Sequence, residues 1–99
     1  MNEINFDNFD KVCNICKELA KEKNNLYGTK NLTIFNGLGI IVRINDKIAR
    51  LNNLTKLDKL NKINNLNETI NDTILDLINY GIYFYLYINK LLLKEVKPE

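Results

Sequence analysis

Histidine is absent from all 99 residues of this chain, and so is serine. With histidine go the ordinary imidazole base and the commonest neutral metal ligand. No Cys-His, Ser-His or Ser-Lys arrangement remains for nucleophilic catalysis. A metal-activated water is then the one economical route open to an enzyme built on this chain. Cysteine is nearly absent, with Cys13 and Cys16 alone. Their two-residue gap suits a redox pair or half of a soft zinc site. Zinc would need its other ligands from another subunit. A redox motif wants a strand before it, and these flanks read as helix. Two free, partly buried thiols are expected, which suits a reducing cytoplasm. Arginine is scarce too: Arg43 and Arg50 stand against a spread of lysines. Fourteen basic and 12 acidic residues leave a net charge of +2, which argues against a binder of nucleic-acid polymers. An uninterrupted apolar run is also missing. From Leu77 to Leu93 the chain is almost wholly apolar or aromatic, but Asn79, Gly81, Asn89 and Lys90 interrupt it, so no membrane span is expected. Met1-Asn2-Glu3 provides neither a basic nor an apolar signal region.

What the chain has in abundance is asparagine, in pairs such as Asn24-Asn25, Asn52-Asn53 and Asn64-Asn65. These pairs are interleaved with periodic Leu and Ile, so they read as a compositional bias and not as a prion-like tract. A chain of this length makes one domain and buries only about two thirds of its unfolded surface. One core is marginal by itself, and oligomerisation would relieve that.

Apolar spacing predicts an all-α protein of three main helices with an ordered irregular connector, assembled as an oligomeric bundle. The first helix spans 7–25, with Phe9, Val12, Cys13, Cys16, Leu19 and Ala20 on one stripe and Asn5 or Asp7 as its cap. Residues 26–37 form the connector, punctuated by Gly28 and Gly37 and tucking Leu32, Ile34 and Phe35 inward. The second helix spans 38–62 through Ile41, Ile44, Ile48, Leu51, Leu54, Leu57 and Leu60, with a break or bend near 52–53, where the spacing changes. The third spans 67–94. It is apolar on nearly all sides, so a symmetric partner helix is expected against it, with Tyr80, Tyr83, Tyr85 and Tyr87 at the interface.

Asp72, Asp76, Asn79 and Tyr83 follow at intervals of four, three and four, which puts them on one face of the third helix. Two carboxylates one turn apart repel unless something positive lies between them. Arg43, Lys47 and Arg50 share a face of the second helix, with Asp46 beside them. Two readings stand. The acidic and basic stripes lock the helices together, or the acids hold a metal while Arg and Lys hold phosphate oxygens. Asp76 lies a full turn inside rising apolar density and is expected to be partly buried and paired. Glu18 and Glu22, one turn apart on the first helix, read as surface acids. Pointed at Asp72 and Asp76, they would complete a four-carboxylate magnesium site. Tyr27, beside Gly28 in a loop, is a candidate stacking group for a base or sugar.

Three segments together resemble a known family. Lys23-Asn24-Asn25-Leu26-Tyr27-Gly28, the stretch from Gly37 to Leu54 centred on Arg43-Ile44-Asn45-Asp46-Lys47, and the stretch from Asn67 to Tyr80 containing Asp72-Thr73-Ile74-Leu75-Asp76 look like the motifs of the phage and prophage nucleotide modification associated domain 1 family. The likeness covers about residues 9 to 90. The helical plan is similar to that of the all-α nucleoside triphosphate pyrophosphohydrolases, in which paired acids on two helices hold magnesium. Asp72 and Asp76 match the second acidic set. The helix before carries Arg43, Asp46, Lys47 and Arg50 where that plan has glutamates, and only Glu18 and Glu22 could stand in.

The resemblance implies a phage protein acting in the host cytoplasm. It would bind a nucleotide or cyclic nucleotide through Arg43, Asp46, Lys47, Arg50, Tyr27, Asn79 and Tyr83, and could sequester a host immune signal. A second expectation is a magnesium-dependent nucleotide pyrophosphohydrolase using Asp72 and Asp76. A third, from the residues themselves, is a structural or protein-interaction module whose charges lock its helices.

Overall fold

A computed structural model describes residues 2–56 and 66–94, and among these every regular element is helical. Helix α1 spans Phe6–Tyr27. The short α2 spans Lys30–Thr33 and runs into a tight turn at Ile34–Gly37. Helix α3 spans Leu38–Leu54, and α4 spans Leu66–Ile88. The domain is therefore all-α, with three long helices and an irregular connector between the first two.

Local chemistry sets each boundary. Asn5 caps α1 by accepting the Asn8 amide at 3.0 Å through its side-chain oxygen. The helix stops at Gly28, where φ is +73° and the amide still reaches the Asn24 carbonyl. Phe35, Asn36 and Gly37 then take φ of 53°, 54° and 81° in succession, a left-handed turn between two right-handed helices. That turn costs the two L residues about 1–2 kcal/mol each. It brings Gly37 against α4, where an added Cβ would lie 2.7 Å from the Tyr87 ring. Only glycine fits that approach.

Helix α3 closes at Thr55, whose amide and hydroxyl both donate to the Leu51 carbonyl. The pattern change near Asn52-Asn53 thus coincides with the helix end. The expected continuation over 57–62 lies outside the described residues. Helix α4 stops short of residue 94. The Asn89 side chain bonds back to the Tyr85 carbonyl, and Lys90 turns left-handed at φ 58°. The Leu91 amide then donates to Leu86 O and the Lys90 amide to Tyr87 O, a Schellman stop.

Helix α3 lies along α4 as the main pairing, and α1 meets α4 more sparsely. Among the described residues the buried apolar side chains are few, Cys16, Leu32, Ile40 and Leu54, and of these Cys16 and Ile40 are fully enclosed. Ile41, Ile44 and Leu51 are half-buried, whereas Ile48 of the same predicted core is exposed. On α1 the stripe is buried at Cys16 and half-buried at Leu19 and Ala20, whereas Phe9, Val12 and Cys13 are exposed. No helix among the described residues is long and apolar enough to cross a membrane.

Candidate functional site

One carboxylate joins the three long helices. Asp76, near the middle of α4, has a side chain only 15% exposed. Its Oδ1 accepts from Lys23 Nζ of α1, and its Oδ2 lies 3.2 Å from Lys47 Nζ of α3. Both oxygens are thus held by ammonium groups from different helices. Burial pushes the Asp76 carboxyl up, but the hydrogen bonds and charges of Lys23 and Lys47 outweigh it, so its pKa falls below the usual value. Burial would lower the Lys23 pKa, but the bond to Asp76 reverses this and raises it. One turn further along α4, the Asn79 amide donates to the Cys16 carbonyl at 3.0 Å. This second tie holds α1 to α4, and both residues are buried.

A cavity of about 410 Å³ opens beside this cluster. Lys23, Asn24, Tyr27 and Gly28 of the α1 end form one wall. Arg43 and Lys47 form another, with Asp76, Asn79, Tyr80 and Tyr83 opposite. The Tyr80 and Tyr83 rings meet edge to face with centroids 6.2 Å apart. Burial, with Tyr80 second, pushes the Tyr83 hydroxyl up, so it stays protonated at neutral pH.

The residues singled out in the sequence divide accordingly. Arg43, Lys47, Asp76, Asn79, Tyr83 and Tyr27 come together around this cavity, although Asn79 also serves as an interhelix tie. Asp46, Arg50 and Asp72 are exposed and do not line it. The four-carboxylate magnesium arrangement is not assembled. Glu18 is exposed and paired with Lys21 at 3.3 Å, Glu22 is exposed, and no group of three potential acidic or thiol ligands forms among the described residues. The physical reason is the lysines: the faces that approach Asp76 carry Lys23 and Lys47, not further acids. Cys13 is exposed and Cys16 buried, both as free thiols. Burial first, and Cys13 second, raises the Cys16 pKa.

Lys23 is the main partner that the sequence reading did not place against Asp76. A signal was available. Cys16, Ala20, Lys23 and Tyr27 follow at intervals of four, three and four, so Lys23 shares the face of the most buried residue on α1. Tyr80, expected at a subunit interface, also lines the cavity.

A second feature lies on another side of α4. Ile74, Ile78, Ile82 and Tyr85 form one exposed stripe. Beside it, Phe9, Val12, Cys13 and Cys16 of α1 complete an apolar groove with Ile78 and Ile82. The molecule thus combines a charged internal lock with an uncovered apolar face, which defines a small helical domain with surplus apolar surface. Compared with protein-family models, curated proteins and solved structures, the chain matches none of them.

Proposed function

We propose that this chain is a structural helical module that assembles with copies of itself through the α1–α4 apolar face. The carrying observation is the exposed stripe Ile74, Ile78, Ile82 and Tyr85 with Phe9 and Val12 beside it. A folded monomer of this mass exposes about 5,800 Å². This chain exposes 8451 Å². The surplus of about 2,600 Å² is comparable to what a chain buries in a large, obligate interface. A second copy suits the stripe because an isologous pair lays the same apolar row against itself. The Asp76 lock supports the same role. It holds α1, α3 and α4 in register from inside, so the face can be presented as a rigid unit.

Size-exclusion chromatography with light scattering, run across a dilution series, tests this reading. The expected species is a dimer or higher oligomer. The double variant Ile78→Lys, Ile82→Lys should run as a monomer, with its helical circular dichroism largely kept. A wild-type chain that stays monomeric and fully helical at every concentration would overturn the proposal.

A further inference from the structure

The Asp76 cluster is unbalanced in charge. Three cationic side chains, Lys23, Arg43 and Lys47, line the cavity against the single carboxylate of Asp76. Both lysines are committed to Asp76, whereas Arg43 is exposed and pairs with no carboxylate among the described residues. A lock needs only enough positive charge to neutralise its acid. The added arginine leaves a positive cavity, and a planar guanidinium suits two oxygens of one anion. The remaining wall is aromatic: Tyr80 and Tyr83 from α4, and Tyr27 from the end of α1, which is 71% exposed and so available to cover a ligand. Asn24 and Asn31 add polar groups at the rim. The volume of about 410 Å³ falls within the usual range for small-molecule sites, about 300–1,000 Å³.

We infer that this cavity binds a small phosphorylated molecule bearing a planar ring. The anion lies between Arg43 and the two lysines, and the ring lies against the tyrosines. Asp76 is a positioning residue here. It fixes two ammonium groups that would otherwise swing into solvent, and it leaves their remaining donors and the whole of Arg43 for the ligand. Binding then needs no divalent cation, because the positive charge is already supplied by side chains. The inference concerns the cavity alone and is independent of self-association, which uses another face.

Isothermal titration of the full chain in the presence of a chelator tests it, with adenosine diphosphate, inorganic pyrophosphate and adenosine as probes. Adenosine diphosphate should bind, and pyrophosphate and adenosine should each bind at least about tenfold more weakly, since each lacks half of the recognised chemistry. Arg43→Gln should weaken adenosine diphosphate about tenfold, the cost of one charge-assisted contact. Tyr27→Ala should weaken adenosine diphosphate but leave pyrophosphate unchanged. Both side chains are exposed, so circular dichroism should report intact helices in each variant. Three results would overturn the inference: no heat from adenosine diphosphate with a fully helical wild-type chain, equal binding of pyrophosphate, or an Arg43→Gln variant that binds as well as the parent.

Discussion

At the scale of single residues, Asp76 holds a position that no other acid among the described residues shares. Asp72 precedes it by one turn and stays in solvent, while Asp76 is buried enough that its charge needs partners, and it finds two. Its pKa is lowered on folding, so its contribution is present above the unfolded value of about 3.9 and is lost as pH falls through the lower folded value. The Lys23 pKa is raised, so its contribution is present below about 10.4 and is lost as pH rises through the higher folded value. The contribution of this ion pair should therefore be flat between those limits and decline at both ends. In Asp76→Asn both declines should be smaller, and stability at neutral pH should drop by about 1–3 kcal/mol. Urea unfolding across the pH range measures all three. A variant as stable as the parent would remove the lock from the account. Asp76 was legible in the sequence as a carboxylate within rising apolar density, and Lys47 as a cation on the facing helix. Lys23 was marked only by its place on the Cys16–Ala20 face, and as one lysine among several on α1 it carries no residue-type signal of burial.

At the scale of elements, the helices follow from side-chain chemistry that is local in sequence. Asn5 caps α1, Gly28 ends it, and the tight connector after it has the glycines that such turns need. The end of α4 was harder to read. Apolar periodicity runs through Leu92, but the helix ends at Ile88 before a left-handed Lys90, a conformation that costs an L residue more than it costs glycine. Lys90→Gly should therefore stabilise the domain by about 0.5–1 kcal/mol. Thermal melting would detect that as a rise in midpoint, and a fall would mean that the lysine side chain contributes a contact of its own. The stop was illegible because it depends on backbone groups of Leu86 and Tyr87 closing on the next turn, and no residue type at position 90 announces it.

At the scale of the whole molecule, the radius of gyration is 16.2 Å. A compact chain of this length would have about 12.6 Å. Among the described residues, helices that touch along limited seams leave Phe9, Ile78 and Ile82 outside. If association with a second copy covers this face, the melting midpoint should rise with protein concentration, by about 3 °C per tenfold for a dimer of this size. Scanning calorimetry at several concentrations checks it. A midpoint independent of concentration would count against the assembly.

The amino-acid order alone determined the helical class, the presence of a capping residue before the first helix and the need for a partner at Asp76. These rest on periodicity and capping, which act over a few residues. Only the tertiary structure decided which cations reach Asp76, that Glu18, Glu22 and Asp72 stay apart from it, and which apolar stripe is left uncovered. Those outcomes depend on how helices are rotated about their axes, and a rotation of a few tens of degrees exchanges a lysine for a glutamate at the same seam.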